Sequence, residues 1–211
     1  MFKKIIRRLV LGFISTFVAS GLVLAQTAPP SIQTNPTVRL RGVIEKLDAG
    51  SVTIKERRGE TITLVMTENT PMNEVYPIDI SEIKAGSYIG TAAIPKADGT
   101  LEALEVLIFP EAMRGTGEGH NPWDLQKDST MTNATVADLA LAPQGRRLTL
   151  KYKGGEKIIH VAQGAPIVTF RPGEKSLLVL GAKVLIQAQE KDGKPTVLRM
   201  TIGRNGFAPP M

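Results

Sequence analysis

Apolar and polar residues alternate with a period of two over much of this chain. Val38-Arg-Leu-Arg-Gly-Val-Ile-Glu-Lys-Leu47 opens the pattern, and a turn at Asp48-Ala-Gly50 leads into Ser51 to Glu56, where Val52 and Ile54 share one face. Arg58-Gly59 closes a hairpin into Thr61 to Met66, with Ile62, Leu64 and Met66 on a common face. Tyr88 to Pro95 and Leu101 to Phe109 form a further hairpin about Asp98-Gly99. Such alternation, bounded by Gly and Asp, marks half-buried antiparallel strands. Between the third and fourth strands it stops, and Ile78 to Gly86 is read as one or two helical turns ending at Gly86, a preferred helix stop. The plan is three strands, a short helix and two strands.

The plan recurs from Thr132 to Gly203. Val52 to Val65 lines up without a gap on Leu148 to Val161 at an offset of 96, which sets His160 at the position of Leu64. Gly86 to Ile108 then falls on Gly181 to Ile202, the offset drifting from 95 to 94. The second copy has a longer first turn at Ala142-Pro-Gln-Gly145 and a last hairpin about Asp192-Gly193. Internal similarity constrains architecture before any single residue is interpreted. It predicts an all-β fold of two tandem, small, five-stranded OB-like barrels, residues 37–110 and 132–203, whose closure removes exposed strand edges. A Gly- and Pro-rich joint, 111–131, separates them, and 204–211 is read as a tail. In the helix position Ser176-Leu-Leu-Val-Leu-Gly181 is more apolar than Ser81-Glu-Ile-Lys-Ala-Gly86. An interdomain contact would cover that surface; a strand in place of the helix is the other reading.

Arg41-Gly-Val-Ile-Glu-Lys-Leu47, the strand Val52 to Ile54, Ser81-Glu-Ile-Lys-Ala-Gly86 and the closing Leu104-Glu-Val-Leu-Ile108 together resemble an exported bacterial OB-type domain family of unknown function, in two tandem copies. The resemblance implies the fold and no activity. More distantly, the chain is similar to periplasmic copper chaperones built on a small OB barrel, which place a Trp and Met residues beside a His near the second and third strands. Here that turn is Glu56-Arg-Arg-Gly-Glu60, without the metal motif.

Composition changes the picture at the N-terminus. Met1 to Ala25 has a basic start (Lys3, Lys4, Arg7, Arg8), an apolar run from Leu9 to Leu24 and a small-residue end, the layout of a secretory signal peptide cleaved after Ala25. Gln26 to Pro36, with Pro29, Pro30 and Pro36, reads as a disordered tether. The expected location is the periplasm, and no segment of the mature chain reaches spanning length. Four of the 26 basic residues and none of the 20 acidic ones lie in the leader, so the net charge falls from +6 to +2 without it. Much of the basicity is therefore a targeting signal rather than a nucleic-acid footprint. With no Cys, there are neither disulfides nor thiolate metal sites.

Candidate chemistry gathers in the joint. It holds the single Trp and one of two His residues among Gly115, Gly117, Gly119 and Pro122, which indicates a shaped loop. One reading is a ligand or partner site built from Arg114, Glu118, His120, Trp123 and Asp124 at the crevice between barrels. In the other, Trp123 plugs a barrel end and His120 caps a turn. A metal-handling alternative uses His120 with the carboxylates of Glu118 and Asp124 for a divalent ion, or with the thioethers of Met113 and Met131 for Cu(I), although neither set has a known ligand spacing. Arg146, Arg147, Lys151, Lys153 and Lys157 on the second hairpin either meet an anionic envelope component or form a solvated outer face. No nucleophile elbow, zinc-protease motif or phosphate loop occurs, and a cofactor is not implied. Few aromatic residues stand where OB folds stack bases, so nucleic acid is set aside. The reading is a non-enzymatic binding module for a protein or cell-envelope component.

Overall fold

The alternating segments fold as strands because each buries one face and leaves the other to water or to a second layer. The computed structural model describes residues 35–210; the expected signal peptide and the tether up to Thr34 lie outside them. In chain order the strands are β1 (Val38–Asp48), β2 (Ser51–Glu56), β3 (Thr61–Val65), β4 (Met72–Pro77), β5 (Tyr88–Pro95), β6 (Leu101–Ile108), β7 (Gly119–Pro122), β8 (Thr130–Ala142), β9 (Gly145–Tyr152), β10 (Gly155–Ala162), β11 (Ile167–Pro172), β12 (Lys183–Lys191) and β13 (Lys194–Gly203). Helical structure among the described residues is confined to 3-10 turns at Ile80–Glu82, Glu111–Met113, Lys175–Leu177 and Arg204–Gly206. The fold is all-β, and among the described residues no helix is long and apolar enough to cross a membrane.

Two sequential barrels were expected, and the hydrogen bonds run otherwise. Strands β10, β9, β8, β5 and β6 follow one another around a closed barrel, sealed by a parallel contact of Ile159 and His160 with Leu101 and Glu102. Strands β3, β2, β1, β12 and β13 form a second ring, in which β13 meets β3 in parallel at Thr196 and Val65. Segments 37–110 and 132–203 thus each supply strands to both rings: β1 pairs with β12, and β5 with β8. Two further strands connect the rings. β4 pairs with β11 about Val75 and Phe170, while β11 runs parallel to β6 and β4 parallel to β13.

Each ring has its own apolar filling. Ile89, Val106, Val136, Leu148, Leu150 and Ile159 fill the closed barrel, and Ile44, Val52, Ile54, Leu64, Ile186 and Met200 fill the second ring. A third cluster lies at the seam, with Val75, Ala92, Leu107, Met131 and Val168 buried beneath Phe109, Trp123, Phe170, Leu185 and Phe207. The chain's exit from β13 belongs to this seam. A Cβ at Gly203 would stand 2.1 Å from the Phe207 carbonyl oxygen, so only Gly lets Phe207 fold back. Phe207, and Arg204 through Glu74, are therefore tied to the fold, while Asn205 and Gly206 of the expected tail stay exposed. At the other terminus, Asn35 donates its side-chain amide to the Glu190 carbonyl at 2.8 Å and accepts from Gln189, which pins the end of the expected tether to β12.

Three local expectations change. Glu56 N–H donates to the Glu60 carbonyl around Arg57-Arg58-Gly59, whereas Tyr152 pairs with Gly155 around only Lys153-Gly154. Leu64 faces Val52 and Ile159 faces Leu148, so Ile159 is the counterpart of Leu64. A one-residue slip turns a strand over, and it leaves His160 half-buried on the opposite face, between Arg147 and Glu102. The segment around Gly181 is neither covered nor a strand: Leu177 is buried, but Val179 and Leu180 stay 53% and 67% exposed. Strands β4 and β11 were not legible in the alternation, because β4 buries Glu74 as well as Val75.

Candidate functional site

The seam opens into a crevice of about 440 Å³, a volume within the range of small-ligand sites. Both rings and the joint wall it. In β7 the alternation sends Asn121, and beyond it Trp123, into the crevice opposite Met131 of β8. His120 faces the other way. Its Nδ1 lies 2.8 Å from the Thr132 hydroxyl and its ring stacks near Tyr152, with centroids 6.5 Å apart. Burial, aided by the Lys157 charge, lowers the pKa of His120. Asn133 also lines the crevice, donating to the Thr116 carbonyl at 3.1 Å. Gly90 leaves room for it, since a Cβ there would lie 2.7 Å from Asn133 Oδ1 and 3.1 Å from Phe109.

The opposite wall is the outer face of the second ring. Cross-strand register aligns Arg39 of β1 with Gln187 of β12, and Gln187 with Arg199 of β13. The next row is Arg41, Leu185 and Thr201. The Arg39 guanidinium rests 4.0 Å over the Trp123 ring, a cation–π contact that holds both groups in place. Arg41 grips Asp124 with two hydrogen bonds of 3.0 Å. Burial works to raise the pKa of Asp124, but the Arg41 hydrogen bonds and charge, with Arg39 beyond, bring it below the usual carboxylate value. Arg57 adds a bond of 2.8 Å to the Asp124 carbonyl.

Thus the predicted site residues do not converge on one point. Trp123, Met113 and Met131 line the crevice. Arg114 is instead locked by Glu111 and the Gly86 carbonyl, Glu118 accepts from the Lys153 backbone at 2.9 Å, and Asp124 fastens the joint to β1. His120 lies on the other face of β7 from Met131, which separates the imidazole from both thioethers. Among the described residues no three His, Asp or Glu side chains gather as a metal cluster would require. The basic hairpin residues also disperse: Arg146 donates to the Ile83 carbonyl at 3.2 Å, Arg147 stands opposite His160, Lys151 opposite Glu156 and Lys157 opposite Leu150, while Lys153 lies in the turn.

Residues the sequence did not disclose are Arg39, Gln187, Arg199, Phe109, Phe170 and Asn133. Each occupies the outward position of a strand or its end, where a polar side chain reads as solvated until the register is known. A second signal is energetic. Five buried side-chain polar atoms have no partner among the described residues: Arg41 Nε, Thr91 Oγ1, Glu105 Oε1, Trp123 Nε1 and Asn133 Oδ1. All but Thr91 belong to the seam or to a strand face turned towards it. Glu105 shares the face of Leu107 in β6 and is 1% exposed. Burial pushes its carboxyl up to about 8, against the opposing charge of Arg41. Orphaned polar atoms each cost stability, and their concentration at one place marks it as more than packing. A cleft of about 480 Å³ at the end of the second ring, by Met66, Met72 and Leu178, is mostly apolar and lacks such convergence.

No family model, no curated protein and no solved structure matches this chain.

Proposed function

We propose that the protein is an exported, non-catalytic binding module of the OB type that receives a ligand, or a side chain of a partner, in the seam crevice beside Trp123. The observation that carries this reading is the Trp123 indole, whose Nε1–H is buried without an acceptor, on a crevice wall that also includes Asn133, whose Oδ1 is likewise buried and unpartnered. An indole donor is ordinarily satisfied when buried, and the net loss otherwise is about 1–3 kcal/mol. Such a group is a suitable contact for an incoming acceptor. Binding is favoured over catalysis by the lining itself. Its ionisable side chains are the two arginines Arg39 and Arg199, with no His, Asp or Glu among the lining residues, while acid–base chemistry needs a group that titrates near the working pH.

The chain's single Trp makes the test direct. In a fragment screen followed by protein NMR, bound compounds should shift the one indole N–H resonance and the Asn133 amide. If the compounds that bind shift only residues elsewhere, such as the apolar cleft by Met66 and Leu178, the reading is wrong.

A further inference from the structure

We infer that the crevice takes an organic anion with a flat, unsaturated body, its acid group held by Arg39 and Arg199 and its body laid among Phe109, Phe170 and Trp123. This rests on the reading of the seam as a binding site and names the chemistry of its ligand.

Arg39, Gln187 and Arg199 stand side by side across three adjacent strands on the outer face of the second ring. Neighbouring strands are about 4.8 Å apart, so the two arginines flank Gln187 at roughly 10 Å between backbones. Long guanidinium arms can close that span around one carboxylate, sulfonate or phosphate, with the Gln187 amide between them. The row carries donors and positive charge, and no Asp or Glu lines the crevice.

Neighbouring arginines behave differently. Arg41 is bound to Asp124, Arg114 to Glu111, and Arg171 and Arg204 both to Glu74. Among the described residues, neither Arg39 nor Arg199 has a carboxylate at salt-bridge distance. Arg39 is nevertheless not a freely swinging surface group, because it is seated over Trp123. A positive charge fixed beside an aromatic crevice, with no carboxylate in ion-pair contact with it, suits an anion supplied from outside. The remaining wall sets Leu107, Phe109, Phe170 and Leu185 beside the neutral amides of Asn73, Asn121 and Asn133, and the unpartnered indole N–H adds a donor for an oxygen of the same ligand.

The probes are 1-anilinonaphthalene-8-sulfonate and its neutral isostere N-phenyl-1-naphthylamine, which share the flat body and differ by the acid group. Affinity is read by calorimetry, and location by energy transfer from Trp123, the only Trp donor. The sulfonate should bind at least about tenfold tighter than the neutral probe, and added salt should narrow the gap. The double substitution Arg39→Gln/Arg199→Gln should abolish the preference for the sulfonate. Arg199→Gln alone, at an exposed side chain without a hydrogen-bond partner in the fold, should already cost several-fold and serves as the variant that keeps the fold intact. Equal affinity of the two probes in the unmodified chain overturns the inference and leaves the binding reading standing. Survival of the preference in the double variant also overturns it. If neither probe accepts energy from Trp123, the crevice reading falls as well.

Discussion

Replacing Glu105 by Gln should make this protein more stable at neutral pH, against the usual cost of altering a buried residue. Glu105 is 1% exposed on β6, one of its oxygens has no partner, and burial raises its pKa from 4.5 to about 8. The folded carboxyl therefore keeps its proton where the unfolded one has lost it. A raised acid pKa works against folding: the penalty is absent below pH 4.5, grows as pH rises from there to about 8, and is constant above. Each unit in that window costs about 1.4 kcal/mol, so at pH 7 the native state forfeits on the order of 3 kcal/mol. Gln is of similar size and neutral at every pH, but its amide is no better satisfied at this site. The net gain should therefore be about 1–3 kcal/mol at pH 7 and should vanish near pH 4.5. Urea unfolding of both proteins from pH 4 to 9 measures this, and the difference between them cancels the contributions common to both. If Glu105→Gln were less stable than the parent at pH 7–8 by 2 kcal/mol or more, Glu105 would have to be an ionised partner of Arg41. Desolvation would then not govern the Glu105 carboxyl.

Glu74 should show the opposite pH dependence. It is 2% exposed and accepts four hydrogen bonds of 2.6–3.0 Å from Arg171 and Arg204. The Arg204 and then Arg171 hydrogen bonds lower its pKa to about 2, so its contribution is full above pH 4.5 and is lost as pH falls towards 2. Glu74→Gln should cost on the order of 3 kcal/mol at pH 7, converging with the parent in acid urea melts. Gly203→Ala, whose Cβ would meet the Phe207 carbonyl at 2.1 Å, should displace Phe207 and Arg204 and cost about 2–4 kcal/mol by thermal unfolding, with local exchange protection lost at the C-terminus. A protease site inserted between the exposed Lys127 and Asp128 should yield two fragments that still elute as one particle, because each completes both rings with the other's strands. Separation of the fragments without denaturant would contradict the interlaced pairing.

Sequence alone determined the all-β class and the positions of most strands. Val52 and Ile54, or Leu148 and Leu150, declare a buried face because the side-chain period of a strand is two and water drives that face inward. It also placed the turns, since Gly50, Gly59, Gly86, Gly99, Gly181 and Gly193 all adopt positive φ. Trp123 was legible as a residue worth placing, being the only Trp and set in a shaped joint.

Tertiary structure alone decided which strand meets which. Alternation is local and says nothing of partner, so β5 and β12 read equally well as closing their own segment or the other. Only the hydrogen bonds show the exchange. A one-residue difference in hairpin length, invisible to an alignment without gaps, put Ile159 where His160 was expected and turned the imidazole outward. Strand β4 hid because its buried Glu74 looks solvated until Arg171 and Arg204 arrive from residues about 100 and 130 positions away. The site was hidden for the same reason. Arg39, Gln187 and Arg199 are ordinary outward-facing polar residues in one dimension, and become a row of donors beside Trp123 only when register lays β1 against the distant β12–β13 hairpin.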